Sequence, residues 1–169
     1  ALIGFTMEEL GGTEYLKVMF DRSAGKPPAL DRKQEKQVQG FCRELIQRGF
    51  ISSAHDCSEG GLAIAVAESC FSPGCQTLGA TLTLESTLRN DTLLFGETQS
   101  RIVISFPEER INEIEDLAMA FSVDFSLIGK VGGSHFTIMV NGNEIIKQEI
   151  DVLKEIWKTS LGNYAGQTT

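Results

Sequence analysis

No stretch of this sequence approaches the ~18 consecutive apolar residues of a membrane-spanning helix, and no basic amino-terminal segment leads into a shorter apolar run. Neither membrane spanning nor secretion is encoded within it. The four cysteines, Cys42, Cys57, Cys70 and Cys75, lack CxxC spacing and have no histidine cluster beside them, which argues against a zinc site or a thioredoxin-like redox pair. Cys42 falls in an apolar helical stripe and Cys70 near the end of an apolar helix, where reduced cysteine serves as a small buried hydrophobe; that usage suits a reducing cytoplasm. Positive charge is also short. Fifteen Lys and Arg against 23 Asp and Glu leave a net charge of -8, which repels nucleic-acid phosphate and anionic lipid, so neither is expected as a partner. Internal repeats, low-complexity blocks and internal linkers are missing as well.

What remains is a chain of 169 residues with 41% hydrophobic content, enough for one compact core. The expected organisation is one domain over residues 1–162 and a polar, disordered tail over 163–169. The opening Ala1-Leu2-Ile3-Gly4 reads like the interior of a longer protein.

Residues 2–5 suit a short strand and residues 15–20 a short helix after the Gly11-Gly12 break. Gly25 and Pro27-Pro28 mark a loop. Asp31 can cap the next helix, with Gln34 three residues on as in a capping box. Val38, Phe41, Cys42, Leu45 and Ile46 then recur at the spacing of an amphipathic helix that stops near Gly49. A strand over 50–54 leads into a turn, and residues 62–70, apolar on every side, predict a buried helix. Strands are expected at 78–84, at 101–106 as a central strand, at 125–131, at 135–140 and at 144–149, the last two joined at Asn141-Gly142-Asn143. Pro107 suits the first turn of a helix with Ile111, Ile114, Leu117, Ala118 and Phe121 on its apolar face. A final helix is expected from Asp151 to about Leu161. The fold class is α+β, a mixed or antiparallel sheet flanked by helices.

The segment with most chemical content is His55-Asp56-Cys57-Ser58-Glu59-Gly60-Gly61, between a strand and a buried helix. A helix start exposes unpaired amides that favour phosphate, and Gly60 and Gly61 let backbone approach a ligand. Asp56 can hold a magnesium ion that bridges phosphate oxygens, and the Ser58 hydroxyl can donate to phosphate. The plainer alternative is a glycine-rich turn with Ser58 as helix cap.

The string HDCSEGGLAIAVAESCF resembles the HDxSDGGLxxxLAE signature of the second carboxy-terminal-type domain of phosphoribosylformylglycinamidine synthases, an AIR-synthase-related domain, with Glu59 in place of the usual aspartate. LFGETQSRIVISF (residues 94–106) resembles that family's LFGESQGRxxVS, EELGGTEYL (residues 8–16) its ELGGSEYL, and PPALD (residues 27–31) sits where the family has a similar proline pair. Thr13 and Thr98 replace serine and keep the hydroxyl, and Cys57 occupies a variable position.

The resemblance implies an ATP- and magnesium-dependent ligase of purine biosynthesis that converts formylglycinamide ribonucleotide to the amidine with ammonia from a glutaminase subunit or domain. It implies that this chain forms one wall of a nucleotide-binding cleft against an amino-terminal-type domain of the same synthase, inactive alone, in the cytoplasm. Carried over by motif, Asp56 would bind Mg2+, Ser58 with Gly60 and Gly61 would bind the nucleotide (ATP or ADP), and Glu97, Thr98 and Gln99 match a segment that contacts substrate in the other half of the synthase. No catalytic residue is assigned: His55 reads as a hydrogen-bonding spacer at a strand end, and Arg101 either binds phosphate or pairs with Glu97. The LFGE string leans towards the small synthase with a separate glutaminase. The alternatives are another enzyme of the AIR-synthase superfamily and a stand-alone binding module.

Overall fold

A computed structural model describes residues 1–71 and 77–166; Cys75 lies outside the described residues. In chain order the elements are β1 (Leu2–Ile3), α1 (Glu14–Phe20), α2 (Arg32–Gln47), β2 (Ser53–Asp56), α3 (Gly61–Ser69), β3 (Ala80–Leu84), α4 (Asn90–Phe95), β4 (Ile102–Ser105), a 3-10 turn (Glu108–Arg110), α5 (Ile111–Phe121), β5 (Phe125–Ser126), β6 (Gly129–Val131), β7 (His135–Val140), β8 (Asn143–Glu149) and α6 (Ile150–Gly166). They form two compact units, one of residues 1–66 with 86–128, the other of 67–85 with the chain from Gly129 onward. The α+β expectation holds, with two four-stranded sheets where one was expected.

In the first unit the sheet order is β2-β4-β1-β5, antiparallel throughout. The 101–106 segment is indeed central, lying between β2 and β1. Helices α2 and α5 cover one face with a core of Ile3, Val38, Phe41, Cys42, Leu45, Ile104, Ile114 and Ala118. Asp31 caps α2 as expected: its Oδ1 accepts from the amides of Lys33 at 2.8 Å and Gln34 at 3.2 Å. The helix ends in a Schellman motif, with the Gly49 amide on the Ile46 carbonyl, the Phe50 amide on that of Leu45, and Gly49 at φ 65°. Ile46, expected on the buried face, is 58% exposed, because eight residues of a 3.6-residue helix rotate it about 80° from Val38, to the flank of the stripe.

β2 starts later than the apolar run 50–54 suggests. Phe50 and Ile51 pack against the core cluster, and the pairing of Ser53 with Ser105 through Asp56 with Ile102 sets the strand. As a mostly exposed edge strand it carries no hydrophobic signature. Helix α4 was not expected.

In the second unit the order is β6-β3-β7-β8, with β3 and β7 parallel and the other pairs antiparallel. Ala80, Leu82 and Leu84 alternate inward, as do Phe136, Ile138 and Val140. Val140 pairs with Asn143, so the hairpin loop is Asn141-Gly142, at φ 49° and 75°. Positive φ at both residues is what a tight two-residue hairpin needs. The single strand expected over 125–131 is divided: β5 joins the first sheet and β6 the second. The final helix runs to Gly166, so residues 163–166 of the expected tail are helical and 167–169 lie outside the described residues. Gly162 weakens a helix by only about 1 kcal/mol relative to alanine and does not stop it.

Candidate functional site

The three motif segments recognised separately in sequence come together in the first unit. The register of β2 on β4 places Asp56 opposite Ile102, and the Cys57 amide donates to the Arg101 carbonyl at 2.9 Å. The turn 57–61 therefore leaves β2 beside the loop 96–101. Two successive left-handed glycines shape it, Gly60 at φ 78° and Gly61 at φ 66°, and the Gly61 amide donates to the Ser58 carbonyl at 3.0 Å as α3 begins.

Gly61 has a structural reason distinct from ligand approach. A Cβ there would lie 2.4 Å from the Gly96 carbonyl oxygen and 2.9 Å from the Phe95 carbonyl carbon, so the chain's own backbone occupies that space. The two segments also meet through a side chain. Glu97 Oε1 accepts from the Gly60 amide at 2.9 Å and from the Glu14 amide, at the start of α1, also at 2.9 Å.

The segment 6–14 is built into the same junction, a contribution that sequence reasoning left unassigned although the motif 8–16 had been singled out. Thr13 caps α1, its Oγ1 accepting from the Leu16 amide at 3.4 Å and donating to the Leu10 carbonyl at 2.8 Å. Thr98 is buried, and its Oγ1 accepts from the Met7 amide at 3.1 Å. These bonds explain why threonine serves where the family pattern has serine: each uses the hydroxyl. Tyr15 stacks on Phe95 with ring centroids 5.0 Å apart. Glu9 accepts from the Ala29 amide through Oε1, while its buried Oε2 has no protein partner.

Arg101 is neither a phosphate ligand nor the ion-pair partner of Glu97 that the sequence suggested. It is 2% exposed, and its guanidinium donates to the Thr98 carbonyl at 2.9 Å, the Gly96 carbonyl at 2.6 Å and Thr6 Oγ1 at 2.9 Å. Burial lowers its pKa, opposed by Cys57 once that thiol ionises at high pH and by the carboxylates of Glu9 and Glu97. The residue ties the loop 96–98 to the amino-terminal segment. Cys57 is buried too, its thiol pushed up to about 11 by burial, so it packs as a hydrophobe and offers no thiolate.

The candidate residues thus divide. Asp56, Ser58 and Gln99 are exposed, the Asp56 side chain at 75%; Thr98, Arg101 and Gly61 are buried, and Glu97 is engaged by two amides. His55 Nδ1 donates to the Asp56 carbonyl at 2.7 Å, the spacer geometry expected of it. As a metal site the turn is incomplete: no group of three or more His, Cys, Asp or Glu able to hold a metal forms among the described residues. Asp56 supplies one exposed carboxylate, which fits magnesium only as one ligand of an ion otherwise held by phosphate and water. Among the described residues no helix is long and apolar enough to cross a membrane.

A glycine turn thus opens a buried helix and is clamped by polar side chains in an α+β unit, and the family that the chain matches is of the AIR-synthase type. The chain belongs to the family described as AIR synthase related protein, C-terminal domain, whose model matches residues 1–141 and so takes in the first unit and part of the second. It is 42% identical over 160 residues to the phosphoribosylformylglycinamidine synthase subunit PurL of Moorella thermoacetica, covering 95% of this chain and 21% of that one. Among solved structures it resembles Thermotoga maritima PurL complexed with FGAR, with a TM-score of 0.74 at 18% identity over 90% of this chain and 27% of that one. The same protein complexed with ATP gives 0.69 at 18% identity over 90% and 24%. These likenesses to solved structures establish the fold. The chain spans about a fifth of the length of the curated relatives it matches.

Proposed function

We propose that this chain is the carboxy-terminal AIR-synthase-related domain of a phosphoribosylformylglycinamidine synthase and forms one wall of a nucleotide-binding cleft. The observation that carries the reading is the convergence of the segments 6–14, 55–61 and 94–101 on one junction. It holds the turn 57–61 in a fixed shape, with Asp56 and Ser58 exposed beside the start of α3. The relatives' name gives the product, phosphoribosylformylglycinamidine, and the family resemblance implies the reaction: ATP-dependent conversion of formylglycinamide ribonucleotide to that amidine, a step of purine biosynthesis.

The free amides at the start of α3, with the Ser58 hydroxyl, would bind phosphate oxygens, while Gly60, its own amide held by Glu97, and Gly61 would serve the nucleotide by shaping the turn. Asp56 and Glu59 make the turn acidic, so a polyphosphate would approach it together with a cation. Asp56 would be one ligand of a magnesium ion whose other ligands are phosphate and water; when bound, that ion neutralises phosphate charge. Gln99, exposed at the same junction, is the member of the 97–99 segment best placed to touch substrate. The chain offers binding and orientation, and the second wall, an amino-terminal-type domain of the same synthase, would complete the cleft. Ammonia would come from a glutaminase subunit or domain, and a cytoplasmic location would suit the pathway.

The test is Asp56→Asn in the full-length synthase, with nucleotide carried through purification and melting temperature measured together. Both are expected to fall, as loss of a native-state ligand requires. Unchanged nucleotide with an unchanged melt would return Asp56 to a turn residue and Ser58 to a helix cap. The isolated chain, assayed with ATP, magnesium, ammonia and formylglycinamide ribonucleotide, is expected to show no turnover, because catalysis by positioning needs both walls. Turnover near that of a full-length synthase would overturn the single-wall reading.

A further inference from the structure

We propose that Glu97 is a positioning residue that sets the shape of the turn 57–61, acting on the ligand through the backbone and not by touching it. The proposal rests on the nucleotide reading above and deepens it.

One carboxylate oxygen can accept two hydrogen bonds. On Glu97 Oε1 both come from the protein, from the amides of Gly60 and Glu14, each at 2.9 Å. Neither amide belongs to a strand ladder. Gly60 and Gly61 are consecutive glycines at positive φ, the least constrained residues a backbone can have, so holding them in one conformation requires an external tether. A charged acceptor makes that tether about twice as strong as a neutral one.

The platform that carries Glu97 is itself immobilised. Arg101 donates to the carbonyls of Gly96 and Thr98 on either side of it, Thr98 Oγ1 holds the Met7 amide, and the Gly96 backbone abuts Gly61 too closely to admit a Cβ. Position is thereby passed from a buried guanidinium through the loop carbonyls to Glu97, then to the Gly60 amide, one residue from the start of α3. The same oxygen ties that turn to the first residue of α1. The exposed side chains of Asp56, at the end of β2, and of Ser58 in the turn take no part in this network, as expected if one set of groups holds the shape and another meets the ligand.

The test uses the full-length synthase with Glu97→Ala and Glu97→Gln, the second keeping a neutral acceptor oxygen. Hydrogen exchange without ligand reads the segments 57–62 and 13–16, and titration with magnesium-ATP reads affinity. Phe41→Ala, in the α2 core, is the control for general destabilisation, measured below its melt. In Glu97→Ala both segments are expected to lose protection together and the ATP Kd to rise about tenfold, the scale of one lost charge-assisted hydrogen bond. Glu97→Gln should recover most of both, and Phe41→Ala should leave the ATP Kd unchanged. Retained protection in Glu97→Ala would overturn the clamp, and lost protection with an unchanged Kd would overturn its role in positioning. A wild-type synthase that bound no nucleotide would sink the underlying reading instead, a distinguishable result because the exchange arm needs no ligand.

Discussion

The first unit buries Thr13, Thr92, Thr98 and Arg101, whereas among the described residues the second buries no polar side chain. The sheet of the second unit is organised by alternation, with Ala80, Leu82 and Leu84 on one strand and Phe136, Ile138 and Val140 on its parallel neighbour. Apolar burial is non-directional; it fixes which face is inside and leaves loops comparatively free. Hydrogen bonds from buried groups are directional and costly to leave unmade. The unit that must hold three irregular segments against one another takes them from buried polar side chains, and among the described residues the unit that closes a regular sheet takes them from its backbone ladder.

The largest effects should come from the interior of the first unit. Arg101→Met removes donors from the Gly96 and Thr98 carbonyls and from Thr6 Oγ1, and is expected to cost about 3–5 kcal/mol in urea unfolding, since orphaned buried acceptors cost roughly 1–3 kcal/mol each. A cost below about 1 kcal/mol would show that the polar core is incidental. Phe41, at 0% exposure, should lose about 3–5 kcal/mol on truncation to alanine; a change within ~0.5 kcal/mol, typical of surface sites, would show that α2 presents another face.

Glycines sharpen the comparison. Gly61→Ala combines a left-handed conformation with a collision against the Gly96 carbonyl and should cost about 2–4 kcal/mol. Gly142→Ala, in the hairpin of the second unit, meets nothing within 4 Å and should cost only the conformational part, about 1–2 kcal/mol. Equal losses would mean that the 61–96 packing contributes nothing.

The smallest difference is expected with pH, because burial raises a thiol from 9.0 to about 11 in each unit, Cys57 in the first and Cys70 in the second, and raises Cys42 of the first as well. Below pH 9 both states keep the proton. Between pH 9 and about 11 the unfolded chain loses it first and binds fewer protons than the native one, so stability falls as pH rises. Urea midpoints across that window should drop, and Cys57→Ala and Cys70→Ala should each flatten the drop. A pH-independent midpoint would contradict the burial of both thiols.

Much of the fold was legible because its signals are local. The Asp31 cap, the stripe Val38, Phe41, Cys42 and Leu45, the inward alternation of Phe136, Ile138 and Val140, and the Asn141-Gly142 turn all express short-range periodicity or backbone preference. Three features were not. β2 is an edge strand whose start at Ser53 depends on its pairing with β4; the segment 125–131 divides between two sheets; and α4 is a short helix with no side-chain cap hydrogen bond. Each is settled by what lies across space.

The site divides in the same way. From the sequence alone came the segments that matter, since glycine pairs, hydroxyls and acids in family order are visible without coordinates. Their roles were decided only by the tertiary structure. Arg101, which reads equally as a phosphate ligand or as a partner of Glu97, is buried on two carbonyls and a hydroxyl; Thr98 is spent on the Met7 amide; and Glu97 serves Gly60 and Glu14 from 37 and 83 residues away. A side chain's chemistry belongs to its residue type, but whether that chemistry faces solvent or the chain's own amides depends on contacts between distant segments, and no local pattern encodes those.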